Sequence, residues 1–489
     1  MVREQKSKEG SIQPSGDARR KRMKKQLALS LVSALALTAC TIGPVYQRPE
    51  METPANFKEQ GNWKPAHPAE ISNGEWWTIY NDPVLTGLEK QVVISNQNLK
   101  AEEAAYRQAV AAVQLAQASF FPTIGLDGSA QRGKSNLGKV QNSLSLTADA
   151  SWAPDIWGRI RQQVEAQQAN AQATAADLAA ATLSAQGTLA VDYFELRAAD
   201  QLQRLYHDTV AADEKSLKIT QNQYTVGVVS KADVAQAQTL VDTVRSQEIN
   251  VGIQRSQLEH AIAVLAGRTP EDFSIAIAGN IPDPPVVPTG VPSTLLERRP
   301  DIAAAERLVA AANANIGVAM TAYYPDITLS GSIGYAAETF GNLLKASSLV
   351  WAVGPQVAET LFDGGARAAQ VAEARAAFDQ QAALYRQTVL TAFQGVEDNL
   401  AALRILEQQE KVQLAAISEA QEATKLITNQ YLAGTVAYTS VVTASTQQLG
   451  NEQSELTIRE NNLVASVQLI EALGGGWSAD SIKNAGKAN

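Results

Sequence analysis

Four stretches of this chain alternate apolar and polar side chains with a period of two, and long Ala- and Gln-rich stretches between them carry a helical period. Ser143-Leu144-Ser145-Leu146-Thr147-Ala148-Asp149-Ala150-Ser151-Trp152 alternates without a break, as do Ile124, Leu126, Gly128, Ala130 and Ile327, Leu329, Gly331, Ile333, Tyr335. A fourth stretch runs through Leu349, Trp351 and Val353 and meets Pro355. Such alternation predicts strands with one apolar and one polar face, at about 123–132, 143–152, 326–335 and 349–358. Each has about ten residues, the length a tilted strand needs to cross a bilayer. Phe120, Phe121, Trp152 and Trp157 fall at the base of the first hairpin, and Tyr323 and Tyr324 at the matching place of the second, as an interfacial aromatic girdle requires. A water-soluble sheet packed on helices is the alternative.

Asp82-Pro83 places an N-cap acceptor before a proline at the first helical position and predicts a helix to about Ser119. In the second half Thr294-Leu295-Leu296-Glu297 has capping-box spacing, Pro300 restarts the helix, and Pro122 and Pro325 end the helices that precede the strands. Gly158–Tyr224 contains no proline; as one helix it would be about 100 Å long. Its apolar residues form two heptad stripes, Leu189, Leu196, Gln203, Val210, Leu217, Tyr224 and Val191, Ala198, Leu205, Ala212, Ile219, Val226. Two residues turn a helix by about 200°, so the stripes lie on nearly opposite sides. The register returns 207 residues later with Val396, Leu403, Ile417, Tyr431 and with Ile405, Val412, Leu426. Opposed seams suit a helix in a wall with a neighbour on each flank, and Ala166, Ala169, Ala173, Ala176 and Ala180 would let backbones approach closely. A closed wall is a tube; a soluble antiparallel bundle is the plainer possibility.

The sequence also matches itself. Asn98 to Pro122 corresponds to Asp301 to Pro325 at an offset of 203, and Asn222-Gln223-Tyr224-Thr225-Val226-Gly227 to Asn429-Gln430-Tyr431-Leu432-Ala433-Gly434 at 207. The resulting layout is a segment 40–82, a first repeat 83–280, a proline-rich linker 281–292, a second repeat 293–473 and a tail 474–489. Four strands cannot close a barrel, and open edges in lipid would leave backbone groups unpaired at several kcal/mol each. The chain must then share a barrel with copies of itself, two giving eight strands and three giving twelve.

Composition narrows the chemistry. Of 489 residues 45% are hydrophobic and 19% charged, and the formal charge is −9, which disfavours a nucleic-acid partner. One cysteine excludes a disulfide framework, and His67, His207 and His260 are too scattered for a metal centre. We find no nucleophile–base pair, phosphate loop or metal spacing, so the expectation is no enzyme, no metal and no cofactor. Arg19–Lys25 is a basic n-region and Leu27–Thr38 a short apolar one, so 1–39 is expected to be a signal peptide, with Met23 an alternative start. Without 1–39 the net charge becomes −15. Leu37-Thr38-Ala39-Cys40 resembles a bacterial lipobox, which makes Cys40 the expected lipidation site, and Thr41 in place of Asp favours the outer membrane.

These residues together resemble TolC-type outer-membrane factors, in particular the lipoprotein (OprM/NodT-like) ducts of RND tripartite drug-efflux systems. The pieces are Gly43-Pro44-Val45-Tyr46, Trp76-Trp77 with Asp82-Pro83, Ser119-Phe120-Phe121-Pro122, Asp155-Ile156-Trp157-Gly158-Arg159, Leu296-Glu297-Arg298-Arg299-Pro300-Asp301, Ala322-Tyr323-Tyr324-Pro325 and Leu361-Phe362-Asp363-Gly364-Gly365. Each is weak singly; their order across nearly the whole mature chain is specific. The resemblance implies a mostly α fold with a small β part: a homotrimer whose twelve-stranded outer-membrane β-barrel, four strands per chain, continues into a twelve-helix periplasmic α-barrel. It implies a passive exit duct in a Gram-negative outer membrane, in contact with outer-membrane lipid. Its implied partners are a periplasmic membrane-fusion adaptor and an inner-membrane RND-type transporter.

By the same resemblance two helix–turn–helix tips would meet the adaptor, at Gly227, Val228, Val229, Ser230 and at Gly434, Thr435, Val436, Ala437. The second tip would narrow to a gate, to which Asp233, Tyr431, Thr439, Thr443 and Thr446 correspond. Family members often carry an acid where Thr443 stands, so a strong cation-binding gate is not expected. Asp233 also suits a plain helix-start charge. Helix-start geometry and a local ion pair account for Arg298-Arg299-Pro300-Asp301, and the histidines read as surface or interface residues. Type I secretion, metal efflux and a poreless lipid-anchored coiled-coil scaffold are the competing functions.

Overall fold

A computed structural model describes residues 42–59, 74–134, 140–278, 281–285, 295–483 and 485. Cys40 and the expected signal peptide, His67, Thr294 and much of the proline-rich linker lie outside the described residues. In chain order the main elements are helices α1 (Pro83–Ser95) and α2 (Gln97–Ala118) and strands β1 (Thr123–Lys134) and β2 (Val140–Trp152). Helices α3 (Arg159–Thr225), α4 (Lys231–Leu265) and α5 (Pro300–Thr321) follow, then strands β3 (Asp326–Ala337) and β4 (Leu349–Ala358) and helices α6 (Ala366–Leu432) and α7 (Tyr438–Ala472). The chain is mostly helical with one four-stranded sheet. Helices α3 and α6 have 67 residues each, α4 and α7 35 each. Among the described residues no helix is long and apolar enough to cross a membrane. The described residues form two compact units, those within Met1–Tyr46, Leu115–Ala166 and Ala312–Ala376 in the first and those within Gln47–Gln114, Gln167–Ala311 and Ala377–Asn489 in the second.

The first unit holds the sheet, antiparallel throughout in the order β1-β2-β3-β4. Strands β1 and β3 run two residues past the alternating stretches and β2 begins three residues earlier, because the backbone ladder continues after the apolar side chains end. Pro355 does not interrupt β4; it sits opposite Leu329 on an edge strand, where a missing N–H can fall on the unpaired side. The segment just after Cys40 is fixed here too: Ile42 N donates to Trp157 O (3.4 Å) and Asn313 Nδ2 to Pro44 O (2.9 Å).

In the second unit, Asp82 caps α1 by accepting from Val84 N (2.8 Å) and Leu85 N (3.1 Å), with Pro83 at the first position. The expected single helix to Ser119 is instead two. Asn96 breaks it: its Oδ1 accepts from Asn98 N and Leu99 N, capping α2, while its Nδ2 donates to Leu265 O at the end of α4 (2.9 Å). One buried amide thus serves two helix ends, which outweighs the lost turn. The main core gathers Trp76, Tyr80, Leu189, Phe194, Leu196, Ile262, Leu400 and Leu463.

A polar chain crosses this core. The Tyr193 hydroxyl donates to Asp82 Oδ2 (2.6 Å), and the Arg197 guanidinium lies over the Tyr193 ring. Asp200, with a fully enclosed side chain, accepts from Arg255 Nε (2.7 Å), Arg197 Nη1 (3.1 Å) and Ala278 N (3.1 Å). Both arginines also donate to backbone, Arg197 to Ala276 O and Arg255 to Ile275 O, so the segment after α4 is bound back onto α3 and α4. Arg299 grips Asp301 with two hydrogen bonds and donates to Ala472 O at the end of α7, so that motif is structural here.

Removing one partner of a buried ion network strands the others. Asp200→Ala is expected to lower stability by about 3–5 kcal/mol, and Asn96→Ala by about 1–2 kcal/mol. Thermal unfolding of the detergent-solubilised variants checks this; a smaller drop for Asp200→Ala than for Asn96→Ala would contradict the ranking.

Candidate functional site: a sheet surface and two helix tips

Register decides which side chains share a face of the sheet, because directly paired residues point the same way. Leu126, Ala148, Ile333 and Trp351 form one row, and Ile124, Ala150, Gly331 and Val353 the next. The row between them is Gly125, Asp149, Ser332 and Ala352. One face is therefore apolar and the other small and polar. The apolar face is not a core: Ile124 is 78% exposed, Trp351 71% and Val353 69%. Among the described residues the outer edges of β1 and β4 have no strand partner.

The aromatic residues gather at the helix-bearing end of the strands. Trp152 Nε1 donates to Phe120 O (2.9 Å), tying β2 to the turn before β1. Trp157 belongs to the second hairpin rather than the first: its Nε1 donates to Pro325 O (2.8 Å) and its ring packs on Tyr324, centroids 5.0 Å apart. Tyr323 lies under the Arg367 guanidinium, which is paired with Asp363 and Glu359. Phe120 is half-buried and Phe121 exposed.

Both tips end their long helices in the same way. Gly227 and Gly434 have φ of 79° and 75°, the left-handed region that only glycine enters without strain. Val228 N then reaches Gln223 O and Gly227 N reaches Tyr224 O; Thr435 N and Gly434 N reach Gln430 O and Tyr431 O. These are Schellman motifs. The helices that follow start differently. Ser230 and Asp233 form a reciprocal capping box, while Ala437 offers no side-chain cap. Val228 stays exposed and Val229 and Val436 are partly buried.

The residues matched to a gate divide into three groups. Asp233 is committed to its capping box and shares no hydrogen bond with Tyr431. Thr439, Thr443 and Thr446 lie exposed along one face of α7, with Thr443 Oγ1 donating to Thr439 O and Thr446 Oγ1 to Val442 O. Tyr431 is buried instead, its hydroxyl donating to Thr220 Oγ1 (3.3 Å) and its ring edge-on to Tyr438 at 5.1 Å. Tyr438 in turn hydrogen-bonds Ser216 (3.2 Å), and Asp213 lies one turn before Ser216, also buried. Sequence reasoning missed Asp213, Ser216, Thr220 and Tyr438. The signal was a polar stripe, 213, 216 and 220, threaded between apolar Val210 and Leu217.

The long helices are unevenly covered. The first stripe of α3 is buried at Leu189, Leu196, Val210 and Leu217, whereas the second emerges at Ala212, Ile219 and Val226. Helix α6 repeats this, with Val396, Leu403 and Tyr431 buried and Ile405, Val412 and Leu426 exposed. Asp192, Glu195 and Glu460 form a half-buried acidic group. Burial, then Glu195, pushes Asp192 up to about 6 and Glu460 up to about 7; burial also raises Glu195. Of the histidines, His207 is exposed beside Glu248 and His260 is exposed.

The sequence profile of the outer membrane efflux protein family matches residues 88–268 and 291–475, and the chain belongs to this family. It is 30% identical over 473 residues to the probable efflux pump outer membrane protein TtgC of Pseudomonas putida, covering 93% of this chain and 96% of that protein. It is 27% identical to the cation efflux system protein CusC of Escherichia coli, covering 91% of this chain and 97% of that one. The solved outer-membrane channel OprN superposes with a TM-score of 0.84 at 27% identity, covering 90% of this chain and all of that one. The chain is an outer-membrane channel protein, the outer-membrane component of an efflux pump in a Gram-negative envelope, extending into the periplasm.

A carboxyl group whose pKa is raised by packing favours the packed state most when protonated, and that contribution is lost as pH climbs from about 4 through 7. Glu195→Gln is therefore expected to raise the thermal midpoint at pH 8 and to change it little at pH 4.5. Equal shifts at both pH values would show that Glu195 does not couple to Asp192 and Glu460.

Proposed function

We propose that three copies of this chain close a twelve-stranded barrel and a twelve-helix tube, forming a passive exit duct. The observation that carries this is the open sheet, with one largely apolar and mostly exposed face and two edges without a strand partner among the described residues. In lipid the apolar face is satisfied and the edges are not, so β4 of one copy must pair with β1 of the next. The exposed stripe on α3 and α6 supports neighbours beyond those one chain supplies. Pairing alone admits two copies or three; the resemblance to TolC-type factors selects three. The 203- and 207-residue offsets support two structural repeats per chain.

Within that duct the tips at Gly227–Ser230 and Gly434–Ala437 meet a periplasmic adaptor, and the second tip narrows the passage. Thr439, Thr443 and Thr446 line it with hydroxyls rather than carboxylates. Phe120, Phe121, Trp152, Trp157, Tyr323 and Tyr324 sit at the membrane interface. Cys40 carries the lipid anchor, and energy comes from an inner-membrane RND-type transporter. The cargo is small molecules, since a wide water-filled tube discriminates little and the pump discriminates most. The likeness to a cation efflux protein makes metal ions the second reading.

Chemical cross-linking in membranes is expected to yield species of up to three copies and none larger; a purely monomeric product would remove the barrel. Loss of the gene, with pump genes intact, is expected to sensitise cells to organic compounds rather than to metal salts. Unchanged susceptibility to every compound would remove the efflux assignment, and sensitivity to metals alone would favour the second reading. Cys40→Ser should abolish metabolic labelling by fatty acid.

A further inference from the structure

Asp213 has no structural reason to be charged where it stands. It is 7% exposed, lies between Val210 and Leu217 on the buried face of α3, and its Oδ2 is enclosed without a hydrogen-bond partner. One turn on, Ser216 holds the Tyr438 hydroxyl, and one turn further Thr220 holds Tyr431. The two tyrosines flank the second tip, one at the end of α6 and one at the start of α7, and they pack edge to face. The polar face of α3 is therefore the surface against which that tip is seated.

We propose that Asp213 is a positioning residue for opening the duct: its proton holds the second tip against α3, and loss of that proton releases it. This rests on the reading that the second tip narrows the passage. Tyr438, on α7, is the ionisable group coupled to Asp213. From α6 the facing ionisable group is Tyr431, engaged with Thr220. From α4 they are Asp242 and Arg245, and Arg245 is already paired with Glu214 and Asp242. Among the described residues no ion pair is formed to Asp213, and no charged neighbour offsets the effect of its burial. A buried carboxylate with no counterion is costly, whereas the protonated acid has a donor for its neighbours and no net charge.

Burial pushes Asp213 up to about 6 from an ordinary 3.8. When the tip lifts, water reaches the carboxyl and its pKa returns toward the ordinary value. The seated state is then favoured in acid, and its advantage is lost as pH rises from about 4 to about 6. Above pH 6 the shift corresponds to a population change on the order of 100-fold per chain toward the released tip. Charge loss elsewhere does not mimic this, because Asp192 and Glu460 lie far along α3 and α7 from the tip and do not contact either tyrosine.

Amide hydrogen exchange at residues 431–441 of the purified full-length trimer, expressed as protection factors, tests the latch. The wild type should lose protection between pH 4.5 and pH 7, and Asp213→Asn, which is neutral and the same size, should keep the acid-like protection throughout. Asp192→Asn with Glu460→Gln serves as the control and should follow the wild type. Identical pH profiles for wild type and Asp213→Asn would overturn the proposal, as would loss of protection on acidification. Bilayer conductance of the same proteins separates latch from gate. Conductance that rises with pH in the wild type and stays low in Asp213→Asn supports both. If exchange behaves as expected while conductance is flat in both proteins, the latch stands and the second tip is not the constriction.

Discussion

The unpaired backbone edges of β1 and β4 constrain everything else in this molecule. The apolar side chains on one face of the sheet could be covered by lipid, by helices or by another sheet. Backbone N–H and C=O groups beside them have no such choice, since lipid offers neither donor nor acceptor. The β1–β2, β2–β3 and β3–β4 ladders satisfy the inner edges; in the proposed barrel the outer two are completed by other copies. The aromatic residues at the strand ends follow from the same requirement. Trp152 and Trp157 each spend an indole N–H on a backbone carbonyl at the helix–strand junction, where regular pairing stops and the carbonyls of Phe120 and Pro325 would otherwise lack a donor.

The helical unit solves a different problem, which is to keep long helices specific when their surfaces are bland. Alanine and glutamine give helicity but little register information. Register comes from scattered polar anchors: the Asp82–Tyr193 contact, the Asp200 network and the Tyr431–Thr220 contact. Each is satisfied in only one alignment of the helices, so a slide of one turn would leave charges or hydroxyls buried and unpaired.

Local signals in the sequence were legible where the cause is local. Alternation located the four strands, Pro83 and Pro300 located helix starts, and Gly227 and Gly434 located the turns, because φ and side-chain period are properties of a few adjacent residues. The break at Asn96 was not legible, since an asparagine in a helical stretch reads as a surface residue until Leu265, 169 positions away, supplies the second half of its role. The same holds for Asp200 and Asp213: each is an acid within a long helix, where a solvated one would look identical in sequence. The strand ends were read short because the side-chain pattern stops before the ladder does. Asp233 shows the converse, a residue whose local role as a capping acid was readable and sufficient.

The two tips, alike in their glycine turns, differ in how firmly the next helix begins. At the first, Ser230 and Asp233 satisfy each other's backbone groups, worth about 1 kcal/mol relative to alanine at the cap. At the second, Ala437 leaves the start of α7 without a side-chain acceptor, and order there depends on Tyr438 and Tyr431 docking against α3. A helix start held by tertiary contacts can be released without unfolding the helix body, whereas one held by its own cap stays formed whatever its neighbour does. On the gating proposed above, the asymmetry suits movement of the second tip and a fixed role for the first. The tyrosine pair on α6 and α7 supplies the tertiary contacts to α3 that the uncapped start of α7 lacks locally.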